Sequence, residues 1–322
     1  MLDDSRSSQR REITGFAVSV GFVCLAAVRD VYLGGVFQRI TPLLIAIVAF
    51  TLCTVVFLPT AIVSSRNSLA ILRHRLGDLF WVNITTAIAW ITFLYGLKLI
   101  EPLVVQILYS GIGPLSVIWI ERNLSGGGRG TPITRGERLA YLGLLVTLAF
   151  SALITLTGLS GMTRQSAGSA VLGVILATSG GISISVSTML CRKLTDAGVT
   201  PSALLSLRFP ATALSAAAMM SLSPSGLSSE FFLVDAIVLI ALLLIIVPNY
   251  VNLVAISLAS PLTVRVVLAV GPVLIFFGQL VEGRLTVSLY SLMAAILYGL
   301  AAISAAIARQ HAIRTAESRV VT

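Results

Sequence analysis

The chain has 322 residues, 57% of them hydrophobic and only 11% charged, with a mean hydropathy of +0.98 and a formal net charge of +9. Soluble domains carry roughly a quarter charged residues, so this composition excludes a soluble globular protein and points into a lipid bilayer. The basic residues sit in short segments between apolar runs, where they set topology rather than bind nucleic acid.

The N-terminal stretch MLDDSRSSQRRE is polar and basic, and an apolar run begins at Ile13. It passes directly into further apolar runs, so it is read as a first transmembrane helix and not as a cleaved signal peptide. Runs of the length needed to cross a bilayer, about 17–25 residues, predict ten helices. They fall at 13–34, 42–63, 79–98, 102–121, 138–158, 168–190, 201–220, 232–253, 261–281 and 286–308. Ser260-Pro261 divides the last long apolar stretch, because the residue before a proline leaves the helical region. Cys24, Cys53 and Cys191 lie in or beside these runs with no CxxC, and read as small packing residues.

Alternate loops differ sharply in charge. One set, with both tails, holds fifteen Lys and Arg, and the other holds four: Arg39, Lys98, Arg164 and Arg284. Both termini are therefore expected in the cytoplasm of a multi-pass protein of the cell (inner or plasma) membrane. Two glycosylation patterns, Asn83-Ile84-Thr85 in a span and Asn123-Leu124-Ser125 in a cytoplasmic loop, should then be unused.

A shift of 159 residues superposes Pro42 on Pro201, Phe50 on Phe209, Leu99 on Leu258, Pro102 on Pro261, Leu103 on Leu262 and Val105 on Val264. The pairs Gly113-Pro114 and Gly271-Pro272 follow at a shift of 158. One near-constant offset over half the chain predicts an internal duplication. The expected fold is all-α, with ten transmembrane helices in two five-helix repeats, 1–159 and 160–322. An odd number of spans per copy inverts the second copy, the pattern of alternating-access carriers.

The motifs then take on a family look. The helix opening at Glu101-Pro102 and continuing LYSGIGPLSVIWIER, its twin SPLTVRVVLAVGPVLIFFGQLVEGRL, and LSLRFPATAL at 205–214 resemble the repeats of the EamA-type drug/metabolite transporter superfamily. The resemblance covers essentially the whole chain and implies a ten-helix secondary transporter, most often an exporter of small metabolites or amino acids. The chain departs from the pattern at Ala49-Phe50, where Arg-Phe is usual, at Glu101, where serine is usual, and in the glycine-rich SGGGRG of the 122–137 loop.

Ionisable side chains in apolar spans cost about 2.5–3.5 kcal/mol at a helix centre and are default functional candidates. Arg29 and Asp30 lie about 24 Å beyond Ile13, at about 1.5 Å per residue. As neighbours they project about 100° apart, which argues against simple pairing. They belong either to the interface or to a cavity. Arg208 is expected about 10 Å into the seventh span, snorkelling or buried against a carboxylate. Arg265, in the first turn of the ninth span, either snorkels to the interface or, matched by Gln106 across the repeat, shares a cavity face with it.

The expected substrate-binding set is Arg208, Arg265, Gln106, Trp90, Tyr109, Asn249 and Tyr250, with Asp30 and Glu101 as proton carriers. Trp81 and Trp119 suit the interfacial belt, and the stripe Ser169, Gly173, Ala177, Gly181 and Ser185 suits close helix packing. Pro114, Pro248 and Pro272 should bend or interrupt their helices. The cationic set points to a small anionic or zwitterionic metabolite, with a proton or counter-substrate as partner. A channel or lipid flippase on the same scaffold is the alternative. An enzyme is not expected, since His74 and His311 lie outside the spans and no paired acids or metal-ligand set occurs. No cofactor or metal is expected.

Overall fold

The computed structural model describes residues 2–64, 66–124, 134–162, 166–222, 236–259 and 261–321. The SGGGRG stretch, Arg164, Ser260 and the side chain of Asn123 lie outside the described residues. The described elements are helices: α1 (Leu2–Val36), α2 (Pro42–Ser64), α3 (Arg66–His74), α4 (Leu76–Leu99), α5 (Pro102–Leu124), α6 (Arg135–Leu156), α7 (Ala167–Asp196), α8 (Pro201–Arg208), α9 (Pro210–Ser221), α10 (Ala236–Leu258), α11 (Pro261–Ala269), α12 (Gly271–Glu282) and α13 (Leu289–Val321). Among the described residues nine segments are long and apolar enough to cross a membrane, with a shorter apolar stretch, Leu242–Asn252, inside α10. Helices suit hydrocarbon because each satisfies its own backbone N–H and C=O groups.

Three differences from the sequence reading have local causes. The seventh predicted span is two helices, α8 and α9, divided at Phe209 before Pro210; the ninth is α11 and α12, divided at Val270 before Gly271-Pro272. By contrast α5 and α10 run through Pro114 and Pro248 without a break. A proline deletes one ladder bond, and neighbouring helices can hold the turn together. Third, α3 is an additional short helix in the 64–78 connection.

The helices pack in related pairs. α4 lies along α7 and α1 along α10; α5 lies on α7, while α11 and α12 lie on α1; α2 meets α8 and α9, and α6 meets α13. Small residues permit the closest of these approaches. A Cβ on Gly181 would collide with the backbone of Tyr109, and one on Gly173 with Ile100, so α7 seats directly on α5 and the end of α4.

One end of the bundle closes with apolar side chains. Ala61, Leu72, Val82, Cys191, Leu194, Val199, Ala203 and Leu204 form a buried cluster there, distinct from the main core. Ser68 ties its rim, accepting from the Thr200 N–H at 3.0 Å. Cys53 and Cys191 are buried, whereas Cys24 is exposed on α1 and is no packing residue.

Candidate functional site

Arg29 and Asp30 sit six to seven residues before the end of α1 and are 7% and 0% exposed. Contrary to the sequence expectation they pair: Arg29 Nε donates to Asp30 Oδ1 at 2.7 Å. The long arginine stem spans the angle between neighbouring positions, and a buried charge is best kept when it is paired. The other carboxylate oxygen, Asp30 Oδ2, is buried with no protein hydrogen-bond partner.

A cavity of about 40 Å³ lies beside this pair, bordered by Arg29, Asp30, Gln106, Leu268, Gly271 and Ile275. That is room for about three waters, at roughly 10–15 Å³ each. Gln106 thus reaches the cavity from α5, and the break before Pro272 brings Leu268 and Gly271 to its wall. Pro272 has no N–H to offer the carbonyl of Leu268, which loses its ladder bond at this break.

From Arg29 a continuous aromatic column crosses the bundle. The Arg29 guanidinium carbon lies 5.7 Å from the Trp90 ring centre and 5.5 Å from that of Phe93. Trp90 meets Phe50 edge-on at 5.1 Å, and Phe50 stacks on Phe209 at 5.0 Å. Arg208 then lies 5.6 Å over Phe209. The column therefore ends in a guanidinium on each side, held over ring faces where cations are attracted to the π quadrupole. Phe93 also meets Tyr109 at 4.7 Å, and Tyr109 lies within electrostatic reach of Arg208, Arg29 and Asp30.

Arg208 is anchored by α4 and α7. Its Nε donates to Thr86 Oγ1 at 3.0 Å, and Thr86 shares a 2.7 Å hydrogen bond with Ser187. The neighbouring helix break is bridged by Asn83: its amide nitrogen donates to Leu207 O at 2.7 Å, and its amide oxygen accepts from Ala211 N at 3.2 Å. One carboxamide thus replaces the ladder bond between Leu207 and Ala211, a side chain inserted into the helix.

Glu101 is remote from the column. It caps the opposite end of the bundle from the apolar cluster, 2% exposed, accepting from Gly161 N at 2.8 Å and Ser291 Oγ at 2.7 Å. With the Gln279 amide oriented to satisfy its neighbours, Gln279 Nε2 donates to Glu101 Oε1 at 3.0 Å and its oxygen accepts from Leu103 N at 3.2 Å. Thr286 and Ser288 extend the network to the carbonyls of Gly161 and Leu159. Burial raises the Glu101 carboxyl above the usual range for a glutamate, opposed by the bonds from Ser291 and Gly161.

Three expected site residues fall elsewhere. Arg265 is exposed on α11 and does not line the cavity that Gln106 borders; a long cationic stem at a helix's first turns can run to the interface. Tyr250 is 54% exposed and stacks on Phe57. Asn249 donates back to Ile245 O on its own helix at 2.8 Å, satisfying itself where it stands. The sequence reading missed Phe50, Phe209, Thr86 and Phe93 as site residues. A signal existed, since Thr86, Trp90 and Phe93 share one helix face and Phe50 and Phe209 are partners in the 159-residue shift.

No family model matches the chain, and no curated protein matches it. A solved crystal structure described only as that of a protein is similar over 93% of this chain and 99% of its own, with a TM-score of 0.59 and 19% sequence identity. At that identity the likeness concerns the fold. The fold is that of an all-helical chain whose apolar helices suit a multi-pass membrane protein.

Proposed function

We propose that this chain is a secondary active transporter that moves a small anionic or zwitterionic metabolite across the membrane by alternating access. The observation that carries the reading is the buried aromatic column closed by Arg29 and the half-buried Arg208, with the Arg29–Asp30 pair opening on a small, mainly apolar cavity that Gln106 also borders. Charges in such a place are costly unless they serve a solute path.

The two-repeat reading has support of its own. Exchanging the halves converts the α4–α7 contact into α1–α10 and the α5–α7 contact into that of α11 and α12 with α1, while α2–α8/α9 and α6–α13 map onto themselves. Phe50 and Phe209, partners in the repeat, stack on one another as a two-fold axis between them requires. In the orientation implied by the Lys and Arg bias, the Glu101 network closes the outer end and the Leu72 cluster the inner one. The ten-helix EamA-like architecture is part of this proposal.

Purified protein in liposomes should catalyse saturable counterflow of small carboxylates, and Arg208→Gln should abolish it. Flux that rises linearly with concentration would indicate a channel, and retained counterflow in Arg208→Gln would remove the arginine from the site.

A further inference from the structure

Resting on the carrier reading, we propose that an organic monocarboxylate with a flat apolar body binds by displacing Asp30 from Arg29, and that Asp30 takes one proton from the aqueous phase as it leaves. Anion and proton are then carried together with no net charge.

The geometry supplies each step. Arg29 uses Nε for Asp30, and its guanidinium lies between that carboxylate and the faces of Trp90 and Phe93. A carboxylate arriving from the cavity can form the paired bonds that a guanidinium fork favours, while a flat apolar body lies against the cavity's own wall of Phe22, Leu268 and Ile275. Asp30 would then be a fully buried anion whose Oδ2 already has no protein partner. A buried charge stripped of its counter-charge is neutralised rather than kept. The proton goes to the Asp30 carboxylate, the anion's charge stays on Arg29, and the site's total charge is unchanged.

Among the described residues, no other group on the surrounding helices replaces Arg29 as the counter-charge. α5 offers Gln106, which is neutral, and Tyr109, with Arg208 of α8 acting from beyond it. α4 carries Asp78 and Lys98 near its ends. On α10, Tyr250 is exposed; on α11, Arg265 is exposed. The Glu282 carboxylate at the end of α12 faces the last turn of α1 at Gly35 and pairs with Arg284.

Benzoate is the probe, added to the full-length protein in detergent with a pH indicator and little buffer. Each benzoate bound should take up about one proton, and Kd should rise about tenfold per pH unit above neutrality, as linkage requires. Asp30→Asn should bind with no proton uptake and a flat pH profile, and Asp30→Glu should restore the uptake. The natural chain alone decides the proton count if a variant fails to fold. Binding without proton uptake, undiminished uptake in a folded Asp30→Asn, or no benzoate binding to the folded natural chain overturns the inference. Proton-linked binding without counterflow in liposomes would instead sink the carrier reading and leave the proton-linked displacement of Asp30 standing.

Discussion

The two ends of the bundle are closed by different chemistry. At one, Glu101 gathers Gly161, Gln279 and Ser291 into a buried hydrogen-bonded knot that joins α5, the α6–α7 connection, α12 and α13. At the other, Leu72, Val82, Leu194, Val199 and Leu204 close α2, α3, α4, α7 and α8 by apolar packing. Directional bonds to a carboxylate break together and depend on its protonation; dispersion contacts loosen gradually and ignore pH. A bundle built this way has ends that answer to different stimuli.

The largest effect should come from Glu101→Ala, which leaves the buried donors of Gly161 and Ser291 unpaired and costs about 3 kcal/mol or more, read from denaturant unfolding in micelles. Leu72→Ala should cost about 2 to 3 kcal/mol by opening a cavity. It should also speed alkylation of the buried Cys191, which shares the Leu72 cluster. Glu101→Ala should leave that alkylation rate as it was; a faster rate would show that the two ends are not independent.

The pH dependence tests the knot more gently. Because burial raises the Glu101 carboxyl in the folded protein, its contribution is fully present below the ordinary glutamate value of about 4.3 and is lost as pH rises through the raised value. Glu101→Gln should flatten that slope in a thermal-melt series, whereas Leu72→Ala should lower the whole curve without changing its slope. Ser68→Ala removes the rim bond to Thr200 and should cost about 1 kcal/mol. Smallest of all, Lys193→Ala breaks an exposed pair with Asp78 and should shift stability by about 0.5 kcal/mol or less, vanishing in high salt.

Much of this was legible before any coordinates. Apolar run length located the helices, since hydrocarbon accepts little else, and the proline spacing marked helix starts at Pro42, Pro102, Pro201 and Pro261 where the helices do begin. Gln106 was legible through its position in the repeat. For Arg265 the sequence left both the interface and a cavity face open, and the structure places it exposed on α11. Asn83 could be seen only as a glycosylation pattern. Its insertion between Leu207 and Ala211 depends on α4 lying against a break more than a hundred residues later in the chain.

By itself, then, the sequence determined that the chain lies in a membrane, where its helices start, and that a few charges sit at costly depth. These follow from composition and local spacing, because transfer free energy and proline geometry act residue by residue. Only the tertiary structure decided that Arg29 pairs with its neighbour, that one five-residue chain of rings and guanidiniums forms from α1, α2, α4 and the α8–α9 junction, and that Glu101 binds a loop, a glutamine and a serine. Those are choices among partners far apart in sequence, and they are settled by which helix faces meet.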